Sequence, residues 1–359
     1  MSSRAAVRRL RAGVVPLEDL ESLSVGYGAV SRVVAARLAA LSRGQPAQPL
    51  FVKGEWGSGK SHLLSFVRGA AAAKSVPASL IDLNARSAAL NYPQRIYSIL
   101  VENLRCGGDA LGLRAVMLKW LEDSASRKRL GEAADKAWGW QLSWSIRSLI
   151  MRHENGDNVA LDDSGDWSVL LGADLRWSNY GYKRDQALAR VEALAALFHE
   201  MGLGGLGLVF DEAETIDQLW NVRSRLTAYG VLGRLCTMKA VWCVFGVTKR
   251  FDQTIAYDLS RDFAGYLPAS PNAQSFLKSW SQGSFETVEP PEVDPRYARV
   301  LAKNIARLYS EAYGTDGSGD GLANQCVATW LQNPGRNPRR LIRLLVHELD
   351  LRRPLQSGR

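Results

Sequence analysis

Apolar positions along this chain fall into short solid blocks, and between them run longer stretches with helical spacing. Blocks of four to eight apolar residues bounded by turn signals predict buried strands, whereas recurrence at three and four residues predicts helices. Pro49, Leu50, Phe51 and Val52 form the first block, and residues 61–67 leave the turn after it with helical spacing. Residues 79–83, 206–210, 240–245 and 285–288 predict four further strands. Helical patterns cover 30–41 and 216–239, and after Pro290 and Pro291 they return over 297–313, 321–332 and 338–351. The stretch 251–283 reads as loop-rich. Strands alternating with helices predict an α/β fold with a parallel sheet, followed by a small α-helical domain.

The turn after the first strand carries the most specific chemistry. Gly54, Glu55, Trp56, Gly57, Ser58, Gly59, Lys60 and Ser61 spell a complete G-x-x-x-x-G-K-S phosphate loop, with His62 opening the helix behind it. Glycines let backbone N–H groups curl around phosphates, and the helix N-terminus adds its positive end. Lys60 is placed to reach the β- and γ-phosphates, and Ser61 to hold Mg²⁺.

Hydrolysis needs a second set of residues. The strand at 206–210 ends in Asp211 and Glu212, and the C-terminal ends of strands are where open α/β sheets bind ligands. Asp211 would bind Mg²⁺ through its water shell, and Glu212 would polarise the attacking water. The strand at 240–245 runs on to Thr248, a candidate γ-phosphate sensor that could equally be a turn or cap residue. Lys249 to Asp252 approximate a guanine-reading T-K-x-D motif with the Asp one position late, so adenine is the expected base. Arg223, Arg225 and Arg234 on the 216–239 helix read as solvated or paired with acids such as Glu214.

Asp211 lies 151 positions beyond Lys60, far more than the roughly 30 residues of a βαβ unit. An insertion is therefore expected at about 107–185, helical and rich in tryptophan (Trp138, Trp140, Trp144, Trp167, Trp177). Such aromatics can stack on bases, build a small core or form a docking face. The domain reading is a basic N-terminal segment over 1–48, a nucleotide core over 49–289 and a helical lid over 290–359.

Composition narrows the class. Of 359 residues, 46% are apolar and 23% charged, ordinary for a globular protein, and no apolar run has the length of a membrane span. Four cysteines lack zinc or disulfide spacing, His62, His153, His199 and His347 are isolated, and no signal peptide is evident, so a cytoplasmic location is expected. The net charge of +9 gathers at Arg4, Arg8, Arg9 and Arg11 and at Arg336, Arg339, Arg340, Arg343, Arg352 and Arg353. Clustered basic charge of this kind can neutralise nucleic-acid phosphates or face a protein partner.

In this order the residues resemble an AAA+ P-loop ATPase of the initiator-like (ORC-like) branch. Within it they are similar to the BrxD-like ATP-binding proteins of bacteriophage-exclusion (BREX) systems. The likeness rests on residues 8–16 and 23–26, the helix at 30–41, the phosphate loop through Leu64, residues 210–215, and residues 334–345. It implies a three-layer P-loop core with a helical lid, ATP and Mg²⁺ as cofactors, and Val25 and Gly26 beside the adenine, although Tyr27 stands where many relatives have Arg. It further implies Arg339 as a second sensor, with Arg336 as fallback, and Arg261 as a finger supplied to a neighbouring subunit, hence a homo-oligomer.

The function this implies is an ATP-hydrolysing protein of a phage-defence system that engages DNA and other defence proteins. The alternative is a slow nucleotide switch or scaffold that recruits an effector without DNA-coupled turnover. A kinase using the same loop fits less well, because Glu212 directly after Asp211 suits water activation.

Overall fold

The computed structural model describes residues 3–16, 20–107, 111–137, 140–161, 165–175, 181–261, 265, 267–314, 319–333 and 337–353. Trp138, Trp177 and Arg336 lie outside them. The chain opens with α1 (Ser3–Arg11), α2 (Leu20–Leu23) and α3 (Gly28–Ser42), then β1 (Leu50–Lys53), α4 (Lys60–Ala73) and β2 (Ala78–Asp82). A helical stretch follows: α5 (Pro93–Asn103), α6 (Leu113–Glu122), α7 (Ser124–Ala137), α8 (Trp140–Glu154), α9 (Gly165–Leu170) and α10 (Gly181–Glu200). Then come β3 (Leu206–Asp211), α11 (Val222–Thr237), β4 (Val241–Val247), α12 (Lys249–Arg261), α13 (Pro271–Ser281) and β5 (Glu286–Val288). The last helices are α14 (Pro295–Tyr313), α15 (Gly319–Leu331) and α16 (Pro338–Arg352). No helix among the described residues is long and apolar enough to cross a membrane.

The chain divides into two compact units. The larger, residues 33–52 and 70–288, holds a five-stranded parallel sheet in the order β2-β3-β4-β1-β5. β3 and β4 are buried at every position, which is why, up to the closing Asp211 of β3, their sequences are apolar runs with no alternation. Aromatic rings lock neighbouring strands: Phe210 of β3 stacks on Phe245 of β4 at 5.1 Å, and Phe245 on Phe51 of β1 at 5.0 Å. Phe285, just before β5, continues the row 5.1 Å from Phe51. Helices α5 to α10 share one apolar core with the sheet, through residues such as Leu100, Met117, Leu149 and Phe198. Trp167 is buried in that core and its indole N–H donates to the Val159 carbonyl at 2.9 Å, whereas Trp144 is exposed.

Two expectations from the pattern need correction. The stretch 251–283 is mostly helical, in α12 and α13, and not loop-rich. The inward stripe of α12 is Phe251, Ile255 and Asp258, so one of its three inward positions is charged. Conversely, 216–239 is not one helix. A 3₁₀ turn over Ala213–Gln218 gives way at Leu219, and α11 starts afresh where the Asn221 side chain accepts the Arg223 N–H at 2.8 Å.

The smaller unit comprises residues 1–32, 53–69 and 289–359. Its core joins the start of the chain to its last helices: Val7 and Leu10 of α1 pack with Leu301, Ile305, Trp330 and Leu345. Polar contacts fasten the same helix. Arg4 Nε donates to the Ala312 carbonyl at 2.7 Å, and Arg11 forks onto Asp350 at 2.6 and 2.8 Å.

Candidate nucleotide site

In the smaller unit the chain leaves β1 at Lys53, turns through 54–59 and enters α4 at Lys60. Gly57 and Gly59 have φ of +80° and +101°, a region only glycine enters without strain. Space is as restrictive as torsion. A Cβ on Gly54 would lie 2.5 Å from Ser58 Oγ and 3.1 Å from Pro290 Cδ, and one on Gly57 would run into the Asn337 carboxamide. The turn is tied by Ser58 N–H to the Glu55 carbonyl at 3.1 Å, and Leu63 N–H reaches back to Gly59 at 2.9 Å. Lys60 is 8% exposed, Ser61 is exposed, and Trp56 stands out at 72%. Bare glycine backbone leading into the start of a fourteen-residue helix, with a buried lysine at its first position, fits a polyphosphate.

Beside the loop, residues 24–27 fold over the first turns of α4. The Tyr27 ring meets His62 and Phe66 edge-on, with centroids 5.6 and 5.3 Å away. Gly26 has φ +85°, and a Cβ there would come to 3.0 Å from the Tyr297 ring. Val25 is partly buried against the helical core. His62 Nε2 lies 3.0 Å from Ser24 Oγ, whose own proton goes to the Leu20 carbonyl at 2.6 Å, so the imidazole is the donor of that pair. Burial pushes the His62 pKa down to about 4, keeping the ring neutral. Tyr27 thus fills the position beside Gly26 with an aromatic ring.

The larger unit holds the acidic pair. Asp211 closes β3, beside Asp82 at the end of β2, and is 6% exposed. Glu212 takes φ 60° and ψ 39°, left-handed backbone that costs a glutamate about 1–2 kcal/mol. Its N–H donates to Asp211 Oδ1 at 2.9 Å. β3 and β4 pair in parallel through Phe210 and Phe245, so the acids and Thr248 leave the same edge of the sheet from neighbouring strands. Thr248 is 4% exposed, and its carbonyl accepts the Phe251 N–H at 3.0 Å as α12 begins.

Helix α12 is anchored at both ends. Arg250 pairs with Asp217 of the 3₁₀ turn behind Glu212. Near the other end, buried Asp258 receives Arg225 Nε and the Tyr229 hydroxyl, each at 2.9 Å, and Arg225 also donates to the Leu219 carbonyl at 3.0 Å. Arg225 is therefore a buried core cation paired with Asp258, while Arg234 pairs with Glu192 at 2.8 Å. Arg261 is the last residue of α12, and Arg339 is the second of α16, with an exposed side chain.

Sequence reasoning missed three features: the Asn337 contact, the left-handed Glu212 and the Asp258 cluster. Asn337 followed by Pro338 does signal a helix start, since Asn caps and proline suits the first position. Nothing local signals that this start lies against Gly57.

No curated protein matches the chain. Residues 1–151 match the family model described as BREX system ATP-binding protein BrxC/D, a stretch that contains the phosphate loop and ends within α8. Through its first 151 of 359 residues, the chain is therefore similar to the ATP-binding BrxC/D proteins of BREX systems.

Proposed function

We propose that this chain binds and hydrolyses ATP as an AAA+-like component of a BREX-type phage-defence system. The observation that carries the reading is the glycine turn at 54–59. Its torsions exclude side chains at Gly57 and Gly59, and it delivers Lys60 to a helix start inside the stretch similar to BrxC/D proteins. In this reading Lys60 contacts the β- and γ-phosphates, and Ser61 and Asp211 hold Mg²⁺, which when bound neutralises developing charge on the phosphates. Glu212 orients and polarises the attacking water, and its strained backbone supports a functional role. Thr248 senses the γ-phosphate, Arg339 is the second sensor, and Arg261 is the finger offered to a neighbouring copy. Tyr27, with Val25, Gly26 and His62, borders the adenine. Residues 49–289 form the nucleotide core and 290–359 the lid, whose arrangement nucleotide state would bias. DNA and other defence proteins are the proposed partners.

Steady-state ATP hydrolysis with and without duplex DNA, beside Lys60→Ala and Glu212→Gln, tests this. We expect turnover that rises with DNA and falls at least 100-fold in both variants. Tight ATP binding with negligible turnover, indifferent to DNA, would replace the hydrolytic reading with that of a slow switch.

A further inference from the structure

The contact at Gly57 joins the phosphate loop to a residue with no role assigned above. Asn337 is the N-cap of α16: its Oδ1 accepts the Arg339 N–H at 2.9 Å, and its backbone carbonyl accepts the Arg340 N–H at 3.0 Å. The same carbonyl also accepts the indole N–H of Trp330 at 2.9 Å, and Trp330 is buried in the core of α1, α14, α15 and α16. The side-chain amide is turned the other way. Nδ2 is the Asn337 atom nearest the position of a Gly57 side chain, and Cγ and Oδ1 are each 2.9 Å from it. One carboxamide therefore serves two elements, with its acceptor fixed on the helix and its donor end on the phosphate loop.

We propose that Asn337 is a positioning residue through which α16 registers a terminal phosphate in the loop. The inference rests on the ATP-binding reading. A carboxamide N–H₂ is a neutral donor suited to a phosphate oxygen, and hydrogen bonds to charged groups are stronger than neutral ones. The α16 N-terminus also points its positive end at the place where Asn337 meets the loop, and Arg339 opens the same turn. A nucleotide with a γ-phosphate gives Nδ2 an added acceptor, whereas a diphosphate leaves α16 held by its cap alone. Movement at Asn337 passes to Trp330 through their shared hydrogen bond, and so to the core of the helical unit.

The two uses of the carboxamide can be separated by substitution. Serine and aspartate cap helices about as well as asparagine, so Asn337→Ser and Asn337→Asp keep α16 started while removing the amide donor: aspartate offers none, and the serine hydroxyl sits one bond short of the amide's reach. Fluorescent ATP and ADP analogues would be titrated into the full chain by anisotropy, in magnesium-free buffer and with magnesium, beside thermal unfolding of each variant. For Asn337→Ser we expect an unchanged unfolding midpoint, ADP affinity within about twofold of wild type and ATP affinity about tenfold weaker. For Asn337→Asp the loss for ATP should grow, since a carboxylate now faces polyphosphate. Unchanged affinities in both variants overturn the proposal. Equal losses for ATP and ADP overturn it too, because Asn337 would then only shape the loop. A wild-type chain that binds neither nucleotide, and matches Lys60→Ala, overturns the ATP-site reading itself and the proposal with it.

Discussion

Glu212 shows how one residue can hold stability and chemistry in opposition. Its φ of 60° belongs to glycine, and the acidic pair is formed at that cost. Glu212→Gly should remove the strain, offset in part by the extra freedom of glycine in the unfolded chain, for a net gain of up to about 1 kcal/mol. The same variant should lose ATP turnover. Urea unfolding read together with hydrolysis would check both signs. His62 makes a second prediction at this scale. Its folded pKa of about 4 lies below the ordinary 6.5, so the unfolded chain binds the extra proton between those values. Stability from this group is complete above about pH 6.5 and declines as pH falls toward 4, by about 3 kcal/mol in all. Unfolding midpoints of wild type and His62→Gln at pH 4.5 and 7.5 should show the smaller acid loss in the variant.

Among the elements, α12 depends most on a single polar cluster. Asp258 is fully buried, and both its oxygens are occupied by groups from α11. Asp258→Asn removes a charge that the Arg225 guanidinium pairs with in the core and should cost about 3–5 kcal/mol. Arg225→Met combined with Asp258→Leu should cost far less, as paired replacement by apolar groups often does. Chemical unfolding of the single and double variants distinguishes them. The same cluster marks where sequence reading stopped working. Strands β3 and β4 were legible because burial on both faces writes an unbroken apolar run, and the glycine turn because its stereochemistry allows few other residues. Helix α12 was missed although Phe251 and Ile255 stand at helical spacing, and the inward Asp258 could not be interpreted locally because its meaning depends on an arginine 33 positions away. The Asn337 contact was hidden for the same reason: capping is local, but the partner of a capping side chain's far end is set by the fold.

For the molecule as a whole, charge and packing compete for the same arginines. The ten clustered ones, if all neutralised DNA phosphates, would give a salt slope of about −9. At least four of them have duties within the helical unit. Arg4 and Arg11 are bound to Ala312 and Asp350, Arg352 donates to Gln325, and Arg353 lies 4.6 Å over the Tyr313 ring. We therefore expect duplex binding, followed by anisotropy across potassium chloride concentrations, to show a slope no steeper than about −5. A slope near −9 would mean that these contacts give way to DNA.

The place of α1 has a consequence in time. Val7 and Leu10 belong to a core that, apart from Leu23, is built of residues from Ala298 to Leu349, encoded roughly 290 positions later. At synthesis rates of about 5–20 residues per second, the first helix waits roughly a quarter of a minute to a minute for the surface that covers it. During that interval the ribosome carries a basic, amphipathic segment with its apolar stripe bare. The larger unit can collect its strands while that wait lasts, so the phosphate loop, flanked by Pro290 and Asn337, is among the last parts of the nascent protein to take shape.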